Sequence, residues 1–74
     1  MSKPIELVKV RGLAKSGAAR AIREGAGLSL GEVASAVGVA KTTVYRWESG
    51  DRRPRGDRAI AYGQLLTDLM ARDQ

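Results

Sequence analysis

The chain has 74 residues, a formal net charge of +5, and neither cysteine nor histidine, a length that suits one domain with a modest core. Without cysteine there are no disulfides, thiolate metal sites or nucleophilic thiols, and without histidine the commonest general base and zinc ligand are missing. We therefore expect neither an enzyme nor a metal or other cofactor, and the lack of cysteine suits a cytoplasmic protein.

The N-terminal residues 1–12 are interpreted as a basic arm, followed by a folded domain over residues 13–74. Within the arm, Pro4 and Gly12 bracket residues 5–10, which are compatible with a short strand or with a first helical turn. The sequence pattern does not decide between these two structures.

Two helices are predicted in the first half of the domain. The first spans residues 13–25, and its apolar side carries Leu13, Gly17, Ala18, Ala21 and Ile22. The second begins after Ser29, because Ser29 and Glu32 have the spacing of a capping box, in which each side chain accepts a hydrogen bond from the other residue's backbone NH. It ends at Gly38, and its inward residues are Leu30, Val33, Ala34 and Val37.

Two further helices complete the predicted domain, with no convincing strand pair. One runs from about residue 41 to residue 49, with Val44 and Trp47 on its apolar face. Its opposite face carries Lys41, Thr42, Tyr45 and Arg46. The last helix is predicted over about residues 57–72, and its aligned apolar residues are Ala59, Tyr62, Leu66 and Leu69, with Leu65 and Met70 beside them.

Basic residues are concentrated in two blocks, residues 1–23 and residues 41–58, which are separated by a net acidic stretch. This asymmetry favours a polyanionic partner, and the alternative is a basic surface that only confers solubility. No segment reaches the ~18 apolar residues of a membrane span, and the N-terminus lacks the apolar region of a signal peptide. We therefore expect a nucleic-acid partner and no membrane association.

The most informative stretch is residues 29–50, which combines a capped helix, a turn and a helix with one apolar and one basic face. A short helix braced across a tight turn can hold its partner at the angle that fits the major groove of DNA. The apolar residues that fix this angle are Val33, Val37, Val39, Val44 and Trp47.

Within this stretch, Glu32-Val33-Ala34, Val37-Gly38-Val39 and Thr43-Val44-Tyr45-Arg46-Trp47-Glu48, with Gly27-Leu28-Ser29 before them and Gly50 after them, resemble the Cro/C1-type (XRE, lambda-repressor-like) helix-turn-helix family. The resemblance covers about residues 13–69. It implies an all-α, four- to five-helix lambda-repressor-like domain that binds double-stranded operator DNA as a transcriptional regulator, usually as a homodimer. The small size favours a repressor or a Cro-like, phage-encoded regulator, and no small-molecule ligand is expected.

The resemblance also implies roles for individual residues. Lys41, Thr42 and Arg46 match positions that contact bases, and their chemistry agrees, since Lys and Arg donate to guanine while Thr suits a base edge or a thymine methyl. Arg53-Pro54-Arg55 matches a loop whose final arginine enters the minor groove. Neighbouring residues that face a phosphate or support the turn complete the set. The candidate DNA-binding residues are Lys41, Thr42, Thr43, Tyr45, Arg46, Arg52, Arg53 and Arg55.

Three further positions matter for the comparison with that family. Leu30 stands where the family often has a glutamine that contacts a phosphate. Ala40 stands where a serine or threonine usually caps the recognition helix, a loss of about 1 kcal/mol. Arg23 and Glu48 match a structural ion pair of the family and are left out of the binding set.

Two other readings remain open. A winged DNA-binding domain of the MerR or excisionase type would need a β-hairpin after Gly50, where the sequence instead offers an arginine-rich loop and a helix. A protein-interaction module of the antitoxin type would use the apolar face of the last helix. The same face supports a homodimer, which forms either in free solution or only on DNA, through Leu65, Leu66, Leu69 and Met70.

Overall fold

The computed structural model describes residues 3–72, which form five helices and contain no strand. In chain order these are α1 (Lys3–Lys15), α2 (Ala18–Gly25), α3 (Leu30–Val37), α4 (Lys41–Ser49) and α5 (Gly56–Arg72). The all-α prediction is confirmed. The winged alternative is wrong for this chain, because residues 51–55 lead directly from α4 into α5 without a hairpin. None of the described helices is long and apolar enough to cross a membrane.

The N-terminal segment departs from the prediction of an arm. From residue 3 onward it is helical, and only residues 1 and 2 of the expected arm lie outside the described residues. Pro4 suits the first helical turn, where a missing backbone NH leaves no hydrogen bond unmade. Val10 is fully buried, and a Cβ added to Gly63 would lie 3.0 Å from its Cβ. The segment is thus part of the folded core, held by the close approach of α1 to α5.

The helix predicted over residues 13–25 is two helices. The helix is interrupted at Gly17, whose φ of 86° lies in the left-handed region that is unfavourable for residues with a Cβ. The break also changes which residues point inward: Ala14 and Ala19 are buried, whereas Ala21, predicted to face the core, is exposed. The prediction was wrong here because it extended one helical periodicity across the break.

The predicted start of α3 is confirmed by its cap. The backbone NH of Glu32 donates to Ser29 Oγ at 3.0 Å, and the backbone NH of Ser29 donates to Glu32 Oε1 at 2.8 Å. Both halves of the capping box are therefore present. This fixes where α3 begins and how the chain enters it from the connection after α2.

One core joins all five helices. Its buried side chains include those predicted for α3, α4 and α5, namely Val33, Ala34, Val37, Val44, Trp47, Ala59, Tyr62 and Leu66. The rings of Trp47 and Tyr62 lie 4.8 Å apart with a tilt of 34°. Leu66 and Leu69 are also buried, so the last helix has less spare apolar surface than the sequence suggested. Met70, 38% exposed, and half-buried Leu65 are what remain of the predicted face.

Candidate nucleic-acid interface

Helix α4 has a buried face and an exposed face, in the phase that the sequence predicts. Val44 and Trp47 are 0% and 4% exposed and anchor the helix in the core. The exposed face carries Lys41, Thr42, Tyr45 and Arg46, and Thr43 is half-buried at its edge. Three polar or charged side chains and an aromatic ring therefore project from one rigid helix.

The N-terminus of α4 is not capped by any side chain of residues 3–72. Ala40 is extended, with φ −72° and ψ 150°, and makes no side-chain cap hydrogen bond, as its identity predicts. The missing cap leaves first-turn NH groups directed outward at the positive end of the helix dipole. Such a helix end is suited to an anion, including a DNA phosphate.

Lys41 lies against the start of α3. A Cβ added to Gly31 would be 3.8 Å from Lys41 Cδ, so the aliphatic part of the lysine passes over this glycine. Since lysine keeps its ammonium group in water while its stem packs, this contact directs the charge along the outer side of α3 and α4. Lys41 therefore projects from the junction of the two helices.

Tyr45 borders a shallow depression of about 190 Å³ between α2, α3 and α4. Leu30 of α3 and Arg20 of α2 line the same depression. Tyr45 is 56% exposed there. Leu30 is thus an apolar neighbour of Tyr45, and Arg20 is a cation beside the site that the sequence did not single out.

The Arg23–Glu48 ion pair is confirmed and joins α2 to α4. Arg23 Nε and Nη2 donate to the two carboxylate oxygens at 2.6 and 3.0 Å, a bidentate arrangement. Arg23 Nη1 donates to the carbonyl of Leu28 at 2.9 Å, which adds the α2–α3 connection. Hydrogen bonding to Glu48 raises the pKa of Arg23, against the opposing effect of burial. The pair therefore fixes the C-terminal end of α4, the helix that carries the exposed face.

Two arginines outside the predicted set position the elements around α4. Arg58 Nη1 donates to the carbonyl of Val37 at 3.3 Å, at the end of α3. Its guanidinium lies so close to Gly38 that a Cβ there would be 2.5 Å from Nη1. Arg11 Nε donates to the carbonyl of Pro54 at 2.7 Å. No local pattern could have indicated these contacts, since each joins residues far apart in the chain.

The loop after α4 has an anchored centre and charged flanks. Pro54 is buried, whereas Arg52, Arg53 and Arg55 are exposed. The backbone NH of Arg52 donates to the carbonyl of Arg46 at 3.1 Å, which ties the start of the loop to α4. The three arginines therefore lie on a loop of limited freedom that continues from the exposed face of α4.

A capped helix, a tight turn and a second helix with an exposed polar face define the helix-turn-helix class of proteins. A family model described as helix-turn-helix matches residues 20–66, more than half of the chain. The chain therefore belongs to the Cro/C1-type helix-turn-helix family of DNA-binding regulators, and its five helices have the lambda-repressor-like fold. The comparison with curated proteins and the comparison with solved structures each gave no significant match.

Proposed function

We propose that the chain is a sequence-specific transcriptional regulator, a repressor or Cro-like protein, that places α4 in the major groove of operator DNA. The observation that carries the proposal is the exposed polar face of a helix whose other face is locked into the core by Val44 and Trp47. Discrimination between bases needs donors held within hydrogen-bond tolerance, which a braced helix provides.

Within this proposal, Lys41, Thr42 and Arg46 contact base edges. The two cations suit guanine O6 and N7, and the threonine suits a base edge or a thymine methyl. Tyr45 on the same face and half-buried Thr43 at its edge contact phosphates or support the turn. The uncapped N-terminus of α4 offers backbone NH groups to a further phosphate.

The loop arginines supply charge in this proposal. Arg52 and Arg53 neutralise phosphates, which strengthens binding to any duplex and makes it dependent on salt. Arg55 reaches the minor groove, where a narrow A·T-rich tract has a strongly negative potential. Pro54 is buried, and its carbonyl accepts a hydrogen bond from Arg11. These contacts keep the loop near α4.

We further propose that two copies bind a two-fold site, with recognition helices about 34 Å apart on one side of the duplex. Only Met70 and part of Leu65 remain exposed on the apolar side of α5, which favours a dimer that forms on DNA. Sedimentation with and without the operator distinguishes the cases. Binding of a single copy to an asymmetric half-site would contradict both a dimer that forms in free solution and a dimer that forms only on DNA.

Selection of bound duplexes from a random pool tests the DNA-binding proposal. We expect enrichment of one short site with two-fold symmetry. Arg46→Ala should relax the enriched motif at one position of each half-site, whereas Arg72→Ala, the same substitution at an exposed position near the end of α5, should leave the motif unchanged. A folded wild-type protein that enriches no sequence would contradict the proposal.

A further inference from the structure

A groove of about 510 Å³ separates α1 from the end of α4 and the loop that follows it. Its apolar lining residues are Val8, Ala14, Trp47 and Pro54, of which the last three are buried. Val8 is 68% exposed, the largest exposure among the large apolar side chains described. Helix α1, which lines one side of this groove, precedes residues 20–66, the part of the chain that matches the helix-turn-helix family.

All the charged residues that line the groove, here called its rim, are basic. They are Arg11, Lys15, Arg52 and Arg53, and no acidic residue lines the groove. Within residues 3–72, none of the four has a carboxylate partner at ion-pair distance. Arg11 Nε donates a hydrogen bond to the carbonyl of Pro54, and this contact keeps the guanidinium of Arg11 at the groove. Four unpaired cations around an apolar floor are complementary to a ligand that is anionic and carries an apolar side chain.

We propose that this groove binds an acidic protein segment that inserts one large apolar side chain between carboxylates. The side chain packs on exposed Val8, in the groove that the largely buried Trp47 also lines, and the carboxylates pair with Lys15 and the arginines of the rim. A central apolar anchor surrounded by polar contacts is the usual arrangement of a binding hot spot. Duplex DNA matches the charge of the rim but brings no side chain to cover the apolar floor.

Lys15 and Val8 separate this surface from the proposed DNA surface. Arg52 and Arg53 belong to both, because the loop that lines the groove is the loop proposed to lie along phosphates. Lys15 and Val8 lie on α1 and belong to the groove alone. Both are exposed, so their substitution tests the groove without removing a core side chain. This proposal does not depend on the operator proposal.

Trp47 provides the measurement, since it is the chain's one tryptophan and lines the groove. The probe is a synthetic peptide of about twelve residues, in which one leucine lies within a run of aspartate and glutamate. We expect the fluorescence of Trp47 to change saturably as this peptide is added. Replacing the leucine by serine, or the acids by their amides, should each weaken binding about tenfold.

Variants of α1 complete the test. Lys15→Glu should weaken binding of the leucine peptide about tenfold, whereas Lys9→Glu, the same charge change on the same helix outside the groove, should change it less than about twofold. Val8→Ser should weaken the leucine peptide but not the serine peptide. Equal losses for the two lysine variants, or equal binding of the two peptides, would overturn the proposal.

Two other occupants have their own signatures, and each would also overturn the proposal. If a second copy of the chain fills the groove, the fluorescence of Trp47 should depend on protein concentration without peptide, and Val8→Ser should abolish self-association. If the groove belongs to the DNA surface, Lys15→Glu should weaken binding to a duplex more than Lys9→Glu does.

Discussion

Tyr62 combines two opposing contributions to the core. Its side chain is fully buried, and its ring packs against Trp47 at 4.8 Å, a separation typical of favourable aromatic pairs. Its hydroxyl, however, has no hydrogen-bond partner among the described residues. A buried hydroxyl that has lost its water without gaining a partner is unfavourable. The ring therefore stabilises the fold while the hydroxyl opposes it.

The first prediction is that Tyr62→Phe increases the free energy of unfolding by about 1 kcal/mol, because phenylalanine keeps the ring and removes the unpaired group. Urea denaturation measures this directly. Tyr45→Phe is the control, since Tyr45 is exposed and its hydroxyl is free to bind water. A loss of stability in Tyr62→Phe would mean that the hydroxyl makes a favourable interaction.

The second prediction concerns alkaline pH. Burial raises the pKa of Tyr62, and the charge of Glu48 raises it further. The folded protein therefore keeps this proton when the unfolded chain, with an ordinary tyrosine pKa of about 10, loses it. Because the unfolded state then binds fewer protons, the contribution of Tyr62 to stability is complete below about pH 10 and is lost as the pH rises above it.

Measured between about pH 9 and pH 11, the stability of the wild type should fall more steeply than that of Tyr62→Phe. The two proteins differ only at residue 62, so the difference between the two slopes isolates Tyr62. Parallel slopes would show that Tyr62 ionises equally easily in the folded and unfolded chains.

The third prediction concerns the contribution of the Arg23–Glu48 ion pair, which joins α2 to α4, to the stability of the protein. Its side chains are only 11% and 5% exposed, so removal of one partner leaves a charge with little access to water. We expect Arg23→Met or Glu48→Leu alone to destabilise the protein by about 3–5 kcal/mol, and the double variant by less than either. Urea denaturation of the four proteins gives the coupling.

The control is the Arg20–Glu24 pair of α2, at 3.0 Å with side chains 65% and 54% exposed. An exposed pair at this helical spacing contributes at most about 0.5 kcal/mol, so its cycle should show almost no coupling. Simple additivity in the Arg23–Glu48 cycle would mean that the two charges stabilise the protein independently.

The elements also differ in how far the sequence could predict them. The start of α3 and the inward face of α4 follow from residues within a few positions of one another, Ser29 with Glu32 and Val44 with Trp47. Helix α1 could not be predicted in this way, because its buried residue Val10 packs near Gly63, which is far away in the chain. For the same reason the exposed face of α4 was predicted, but the contacts of Arg58 with Val37 and of Arg11 with Pro54 were not.

At the scale of the whole molecule, two basic surfaces follow one another along the chain. The face of α4 is rigid, since the helix is anchored by its core side chains and by Arg23. The loop carries Arg52, Arg53 and Arg55 in exposed positions. A rigid helix can select bases by the direction of its hydrogen bonds, whereas a loop contributes mainly charge. We therefore expect the two surfaces to have separable effects on specificity and on affinity.

The last prediction tests this separation. Lys41→Ala or Arg46→Ala should weaken binding by about 1–3 kcal/mol on the preferred site and far less on a scrambled duplex. Arg52→Ala or Arg53→Ala should weaken both duplexes about equally and lower the log–log salt slope by about one, because one phosphate contact is lost.

Arg55→Ala should give an intermediate result that depends on the centre of the operator. If Arg55 enters the minor groove, its loss should weaken binding most where the centre is A·T-rich, because the narrow groove there concentrates negative potential. Titrations of each variant against both duplexes at several salt concentrations measure all of these effects. Equal losses on the preferred and scrambled duplexes for Lys41→Ala and Arg46→Ala would show that α4 does not select the sequence, because a base contact must by definition distinguish the two duplexes.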